Sequence, residues 1–177
     1  SYIAPTWYEM GSMTVKLADK IRAGGQKYDR IIALAKGGLG WSRQLQDLLK
    51  IQEGSSIQIS FYEHIGTTKK SPIVIQALPI SIKGESILVF DDVADSGETL
   101  ELAKDYFSLH GAVNVSTATH YTKPWTSIQP DFSVEETDAW IVFPHDAVEM
   151  IHLLDEKWGH PDLKDMKRNL LDIGIEP

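Results

Sequence analysis

Ser86-Ile87-Leu88-Val89-Phe90-Asp91-Asp92-Val93-Ala94-Asp95-Ser96-Gly97-Glu98-Thr99-Leu100 is the stretch on which the reading of this chain turns. Ile87 to Phe90 is an unbroken apolar run, the pattern of a strand buried on both faces of a parallel sheet. Asp91, Asp92 and Asp95 then set three carboxylates where that strand is expected to end. Ser96-Gly97-Glu98-Thr99 is a small, hydroxylated turn that leads into an amphipathic helix. A helix start offers backbone N–H groups and the positive end of the dipole to a phosphate. Carboxylates just upstream can hold sugar hydroxyls or a magnesium ion. The plain alternative is a strand, turn and helix whose acids are only solvated.

Upstream, Asp29-Arg30-Ile31-Ile32-Ala33-Leu34-Ala35 predicts an earlier buried strand. It runs into Lys36-Gly37-Gly38-Leu39-Gly40-Trp41 and a helix carrying Leu45, Leu48 and Leu49. This second strand-glycine-helix unit is no Walker A loop, because no Gly-Lys-Ser/Thr follows. It is no dinucleotide fingerprint either, since Arg43 stands where the third glycine belongs. Between the two units, Ser56 to Tyr62 and Ile73 to Leu78 read as two strands joined by polar residues, a hairpin with a mobile tip. Farther upstream, Thr6-Trp7-Tyr8-Glu9 is a capping box, Met10, Met13, Leu17 and Ile21 keep helical spacing, and Gly24-Gly25 stops the helix.

Downstream, Leu100, Ala103 and Phe107 give the helix after the central stretch an apolar face, and Gly111 ends it. Ala112 to Tyr121 predicts the next strand. Alternating strands and helices imply an α/β fold with a mostly parallel sheet and ligands at the carboxyl ends of its strands. Both glycine turns fall at that edge. A further helix is expected to start near Asp162.

Bulk properties bound the function. The 177 residues suit a single domain, with 42% hydrophobic and 24% charged residues. No apolar run nears the roughly 20 residues of a membrane span, and Ser1-Tyr2-Ile3 opens no visible signal peptide. The lack of cysteine excludes disulfides and thiolate zinc sites, and the net charge of −8 argues against nonspecific nucleic-acid binding. A cytoplasmic location is expected. The six histidines show no His-x-x-x-His pair and read as structural or exposed.

The central stretch resembles the ribose-phosphate-binding motif of type I phosphoribosyltransferases: four apolar residues, two acids, a short spacer, then Asp-Ser-Gly-x-Thr. Lys36-Gly37-Gly38 is similar to the pyrophosphate-binding loop of the purine enzymes, with Lys36 where arginine is common. Lysine keeps the charge but not the bidentate fork. Lys123-Pro124-Trp125 and Asp138 to Asp146 resemble the purine pocket of the xanthine-guanine and hypoxanthine phosphoribosyltransferases. His145-Asp146 departs from several relatives, which carry an aromatic residue and then an acid.

The resemblance covers about residues 29 to 146 and implies a complete set of roles. Asp91, Asp92, Val93, Ala94, Asp95, Ser96, Gly97, Glu98 and Thr99 form the ribose-phosphate site, with the Glu98 carboxylate pointing away. Asp91 and Asp92 bind the ribose hydroxyls, directly or through Mg2+. Asp95 is the general base, and Lys36, Gly37 and Gly38 take pyrophosphate. Lys123 donates to the purine 6-oxo group, Trp140 stacks on the base, and the Ile141 carbonyl meets a 2-amino group. An ammonium cannot accept a hydrogen bond, so Lys123 favours a 6-oxo over a 6-amino purine.

The implied layout is one domain over 1–177, with a flexible lid at about 63–72 and a base-binding hood at about 122–146. The helical extension at about 147–177 is expected to pack or oligomerise. Lys69 and Lys70 could meet pyrophosphate on lid closure, the plainer reading of either one singly being a solvated loop lysine. The implied activity is purine salvage, moving 5-phosphoribosyl from phosphoribosyl pyrophosphate (PRPP) to N9 of a 6-oxopurine, in a homodimer or tetramer. A regulatory protein that senses PRPP or nucleotide on the same fold is the alternative. A receiver-type signalling domain is disfavoured, because it wants its paired acids after the first strand.

Overall fold

The apolar run of the central stretch does become an inner strand, β5 (Ser86–Ala94), in which Ile87, Leu88, Val89 and Phe90 are wholly buried. The computed structural model describes residues 1–63 and 70–175. Within residues 12–137, one compact unit, β5 is preceded by β2 (Arg30–Ala35), α2 (Leu39–Leu49), β3 (Glu53–Glu63) and β4 (Lys70–Gln76). It is followed by α3 (Glu98–Leu109), β6 (Asn114–Thr122) and β7 (Phe132–Glu136). The sheet runs β4-β3-β2-β5-β6-β7, and every neighbouring pair is parallel except β3 with β4.

This order positions the site. From β2 the chain crosses through α2 to β3 on one side, whereas β5 lies on the other side and continues through α3 to β6. The strand order therefore reverses between β2 and β5. Such a switch point opens a crevice beyond the carboxyl ends of the strands, where α/β proteins bind ligands.

Register explains why β2 and β5 are apolar on both faces. Ile32 stands beside Val89 and Ala33 beside Phe90, so the faces alternate along both strands. Ile32, Leu34, Ile87 and Val89 pack with Leu100, Ala103 and Phe107 of α3. The opposite face carries Phe90, whose ring meets the buried His120 ring edge-on at 5.2 Å. His120 also meets Trp41 of α2, and its Nε2 lies 2.9 Å from Thr14 Oγ1 on α1 (Trp7–Ala23). Helices thus cover both faces. His120, read from the sequence as structural or exposed, is buried.

At the amino end of the strands, Arg30 is 7% exposed and forks onto Glu85 with contacts of 2.8 and 3.1 Å. The hydrogen bonds to Glu85 raise the guanidinium pKa, so this clamp keeps its charge. It ties β2 to the start of β5 at the end remote from the crevice.

The hairpin is present as β3 and β4, paired antiparallel. Its expected tip, with His64, Gly66, Thr67, Thr68 and Lys69, lies outside the described residues. Strand β7 was not expected: its alternation is short, and Glu135 and Glu136 are exposed.

The second unit comprises residues 1–11 and 138–177. It holds a short parallel pair, β1 (Tyr2–Ile3) with β8 (Trp140–Ile141), and the helices α4 (Ala147–Lys157) and α5 (Leu163–Asp172). The capping box closes reciprocally: Thr6 N donates to Glu9 Oε2 at 2.7 Å, and Glu9 N donates to Thr6 Oγ1 at 3.2 Å. These bonds lower the Glu9 carboxyl pKa, so the cap holds at neutral pH and weakens once that carboxylate is protonated. Asp162 caps α5 by accepting from Asp165 N at 2.8 Å. No described helix is long and apolar enough to cross a membrane.

Candidate active site

The crevice at the switch point holds a cavity of about 280 Å³ lined by Phe61, Asp91, Val93, Ala94, Asp95, Ser96, Gly97, Thr99 and Leu100. The floor is the end of β5, and the wall is the first turn of α3. Gly97 begins that helix at φ +90°, a left-handed conformation that glycine adopts without penalty. No side chain caps the helix there, and Ser96 Oγ accepts from Glu98 N at 3.3 Å. Glu98 is exposed and does not line the cavity. The geometry is that of an anion seat, with main-chain donors and two hydroxyls facing open space.

Strand β5 extends to Ala94, four residues beyond the expected end at Phe90. That extension separates the paired acids, because successive side chains of a strand point to opposite faces. Asp91 lines the cavity, and its Oδ1 accepts from Asp92 N at 3.0 Å. Asp92 is 6% exposed and turns to the loop after β2. A Cβ on Gly37 would lie 2.6 Å from Asp92 Oδ2.

The loop Lys36-Gly37-Gly38 is therefore pressed against the end of β5. A Cβ on Gly38 would come within 2.5 Å of the Phe90 carbonyl oxygen and 2.9 Å of that of Leu34. Gly38 is required for the close approach of two backbones, and Gly37 for that of the Asp92 carboxylate. Lys36 is exposed at the same edge, and the Ala35–Lys36 peptide is cis.

A third segment completes this unit's site. Lys123 follows β6, is 6% exposed, and donates its backbone N–H to Ala94 O at 3.0 Å. Trp125 Nε1 donates to Asp95 Oδ1 at 2.7 Å, and Lys123 Nζ lies 5.5 Å from the centre of the Trp125 ring. Ser127 donates its N–H and its hydroxyl to Ser96 O, at 2.9 and 2.7 Å. Residues 123–128 thus strap the turn before α3 in place. A Cβ on Gly97 would meet that strap at 2.8 Å from Ile128 N.

A family model described as the phosphoribosyl transferase domain matches residues 13–148. The chain belongs to that family. A xanthine-guanine phosphoribosyltransferase of Idiomarina loihiensis is 28% identical over 144 residues, covering 80% of this chain and 84% of that protein. The crystal structure of a purine phosphoribosyltransferase from Pyrococcus horikoshii shares 33% identity at TM-score 0.74, covering 81% of this chain and 93% of that one. A protein of Neisseria gonorrhoeae solved with bound ppGpp shares 27% identity at TM-score 0.76, covering 85% and 92%.

Within this phosphoribosyltransferase, Asp91, Val93, Ala94, Asp95, Ser96, Gly97 and Thr99 come together around one cavity. Asp92 and Gly37 meet behind it, and Lys123 lies by Asp95 through Trp125. Trp140 and Ile141 belong to the other unit, where Trp140 is 57% exposed and Ile141 is 7% exposed. Trp140 is thus not a core tryptophan. Sequence reasoning gave no role to Phe61, Trp125 or Ser127. Trp125 did carry a signal: it is a large indole in the polar turn directly after Lys123-Pro124.

Proposed function

We propose that the protein transfers 5-phosphoribosyl from PRPP to N9 of a 6-oxopurine (guanine, xanthine or hypoxanthine) in purine salvage. The observation that carries this reading is the convergence of an anion seat, Asp91 and Asp95 on one cavity at the switch point. The names of the relatives support a purine as acceptor.

In the reaction, the bond from C1′ to the pyrophosphate oxygen breaks and pyrophosphate leaves with the electron pair. N9 bonds to C1′, and Asp95 accepts the proton that the purine loses at N7. The amides and hydroxyls of Ser96 to Thr99 bind the 5′-phosphate, and Lys36 with Gly37 and Gly38 binds pyrophosphate. Asp91 holds the ribose hydroxyls. Asp92, held against Gly37, links the ribose end to the pyrophosphate loop. The oxygen donors of Asp91 suit Mg2+, which prefers few carboxylates alongside waters and phosphates. When bound, the metal neutralises charge on the leaving pyrophosphate. The single-domain layout, a lid from the hairpin tip and an oligomer are parts of the same proposal.

Lys123 gives this reading its selectivity, with Trp140 as the stacking surface and Ile141 as the carbonyl for a 2-amino group. Purified protein with PRPP and Mg2+ is expected to turn over at least one 6-oxopurine in a spectrophotometric panel. Adenine is expected to be poorer by about 10²-fold or more, because it leaves buried donors unmatched. A preference for adenine would sink the role given to Lys123.

The relative that binds ppGpp favours one second reading, a nucleotide-sensing protein without turnover. It predicts nucleotide binding in the same cavity and no product from any base.

A further inference from the structure

We infer that Trp125 is a positioning residue for Asp95, setting the proton acceptor against the lysine that reads the base. The inference rests on Asp95 being the general base. Asp95 sits in an exposed turn, where a carboxylate with no fixed partner samples several rotamers. Among the described residues, the Trp125 indole N–H restricts it, at 2.7 Å to Oδ1. A hydrogen bond to a charged acceptor is short and strong, and an indole can only donate. The bond takes up one lone pair of Oδ1 and leaves Oδ2 the more basic oxygen for taking a proton.

Lys123 lies over the face of the same ring, its Nζ 5.5 Å from the ring centre. An ammonium near an indole face is attracted to it. One rigid side chain thus touches both groups assigned to the purine. Packing does not explain Trp125, which is 56% exposed and contributes nothing to the core. Its backbone is already held by the neighbouring strap bonds from Lys123 N to Ala94 O and from Ser127 to Ser96 O. The side chain is free to serve the site.

The test is a double-mutant cycle of Trp125→Phe and Asp95→Asn in the 177-residue chain. Phenylalanine keeps a ring by Lys123 and removes the donor. Trp125→Phe is expected to lower kcat roughly tenfold, the loss of one hydrogen bond to a charged group. The KM for PRPP and the thermal midpoint are expected to stay within about twofold and about 2 °C of wild type, the range of a surface change. In the Asp95→Asn background the same substitution is expected to cost nothing further, because Trp125 acts through Asp95. Equal losses in both backgrounds, or a loss confined to the KM for PRPP, would overturn the positioning role. The Trp125 Nε1–H signal in 15N spectra provides a readout independent of turnover. It should move on Asp95→Asn, and its failure to move would also overturn the inference. An inactive wild-type protein would instead remove the transferase reading, and the positioning role of Trp125 with it.

Discussion

Asp95→Asn is expected to lower kcat by about 10²- to 10⁴-fold, the range that a positioned general base contributes. The change preserves shape and removes the charge and the proton acceptor. Its amide oxygen can still accept from Trp125 Nε1, so the local geometry persists. The proposed 5′-phosphate seat comprises the main chain of the α3 start with Ser96 and Thr99, which the substitution leaves in place. Nucleotide affinity, measured by calorimetry, should therefore fall far less than kcat. The split matters because an interaction made only in the transition state appears in kcat, whereas a binding contact appears in ground-state affinity. Equal loss in both would assign Asp95 to binding.

Gly38→Ala is expected to destabilise the whole fold. Its new Cβ would lie 2.5 Å from Phe90 O and 2.9 Å from Leu34 O, both main-chain atoms of inner strands. Gly38 has φ −67°, so conformational preference is not the obstacle; space is. Neither carbonyl can rotate away as a side chain would, because β2 and β5 pair through the core of the sheet. Overpacking of this kind costs about 1–3 kcal/mol or more. For a chain of this size that corresponds to a fall in Tm of roughly 2–12 °C, read by scanning calorimetry. Gly37→Ala meets Asp92 Oδ2 at 2.6 Å instead, a side chain that can shift. It should cost less stability and act mainly by displacing Asp92. An unchanged Tm in Gly38→Ala would refute the close approach of the Gly38 backbone to β5.

The contrast between these glycines shows what could be read from the chain and what could not. The strands Ile31 to Ala35 and Ile87 to Phe90 were legible because burial on both faces leaves an uninterrupted apolar run. The turn Asp95 to Thr99 was legible because glycine, hydroxyls and acids occur together where a helix must begin. The capping box of Thr6 and Glu9 was legible for a similar reason, since its partners are three residues apart. Strand β7 was hidden because an edge strand needs only half-burial, and Phe132 to Glu136 offers one aromatic residue and two acids. The pair β1 with β8 was hidden because two residues carry no period.

Within the site, the sequence pattern grouped Asp91 with Asp92. Continuation of β5 to Ala94 places one in the cavity and the other against Gly37. The cause lies in backbone pairing with β6, from Asp91 beside Thr119 to Ala94 beside Thr122, which no local pattern announces. The bond from Trp125 to Asp95 spans 30 residues and depends on the strap after β6. A contact of that length is a product of topology and was open only to the structure.

The most direct measurement is the stoichiometry of a single reaction. Purified protein, PRPP, Mg2+ and a 6-oxopurine are mixed, and released pyrophosphate and nucleoside monophosphate are quantified together. The account predicts that pyrophosphate appears only with base present, matched one to one by the monophosphate. Binding of PRPP or nucleotide with no pyrophosphate released for guanine, xanthine or hypoxanthine would contradict it.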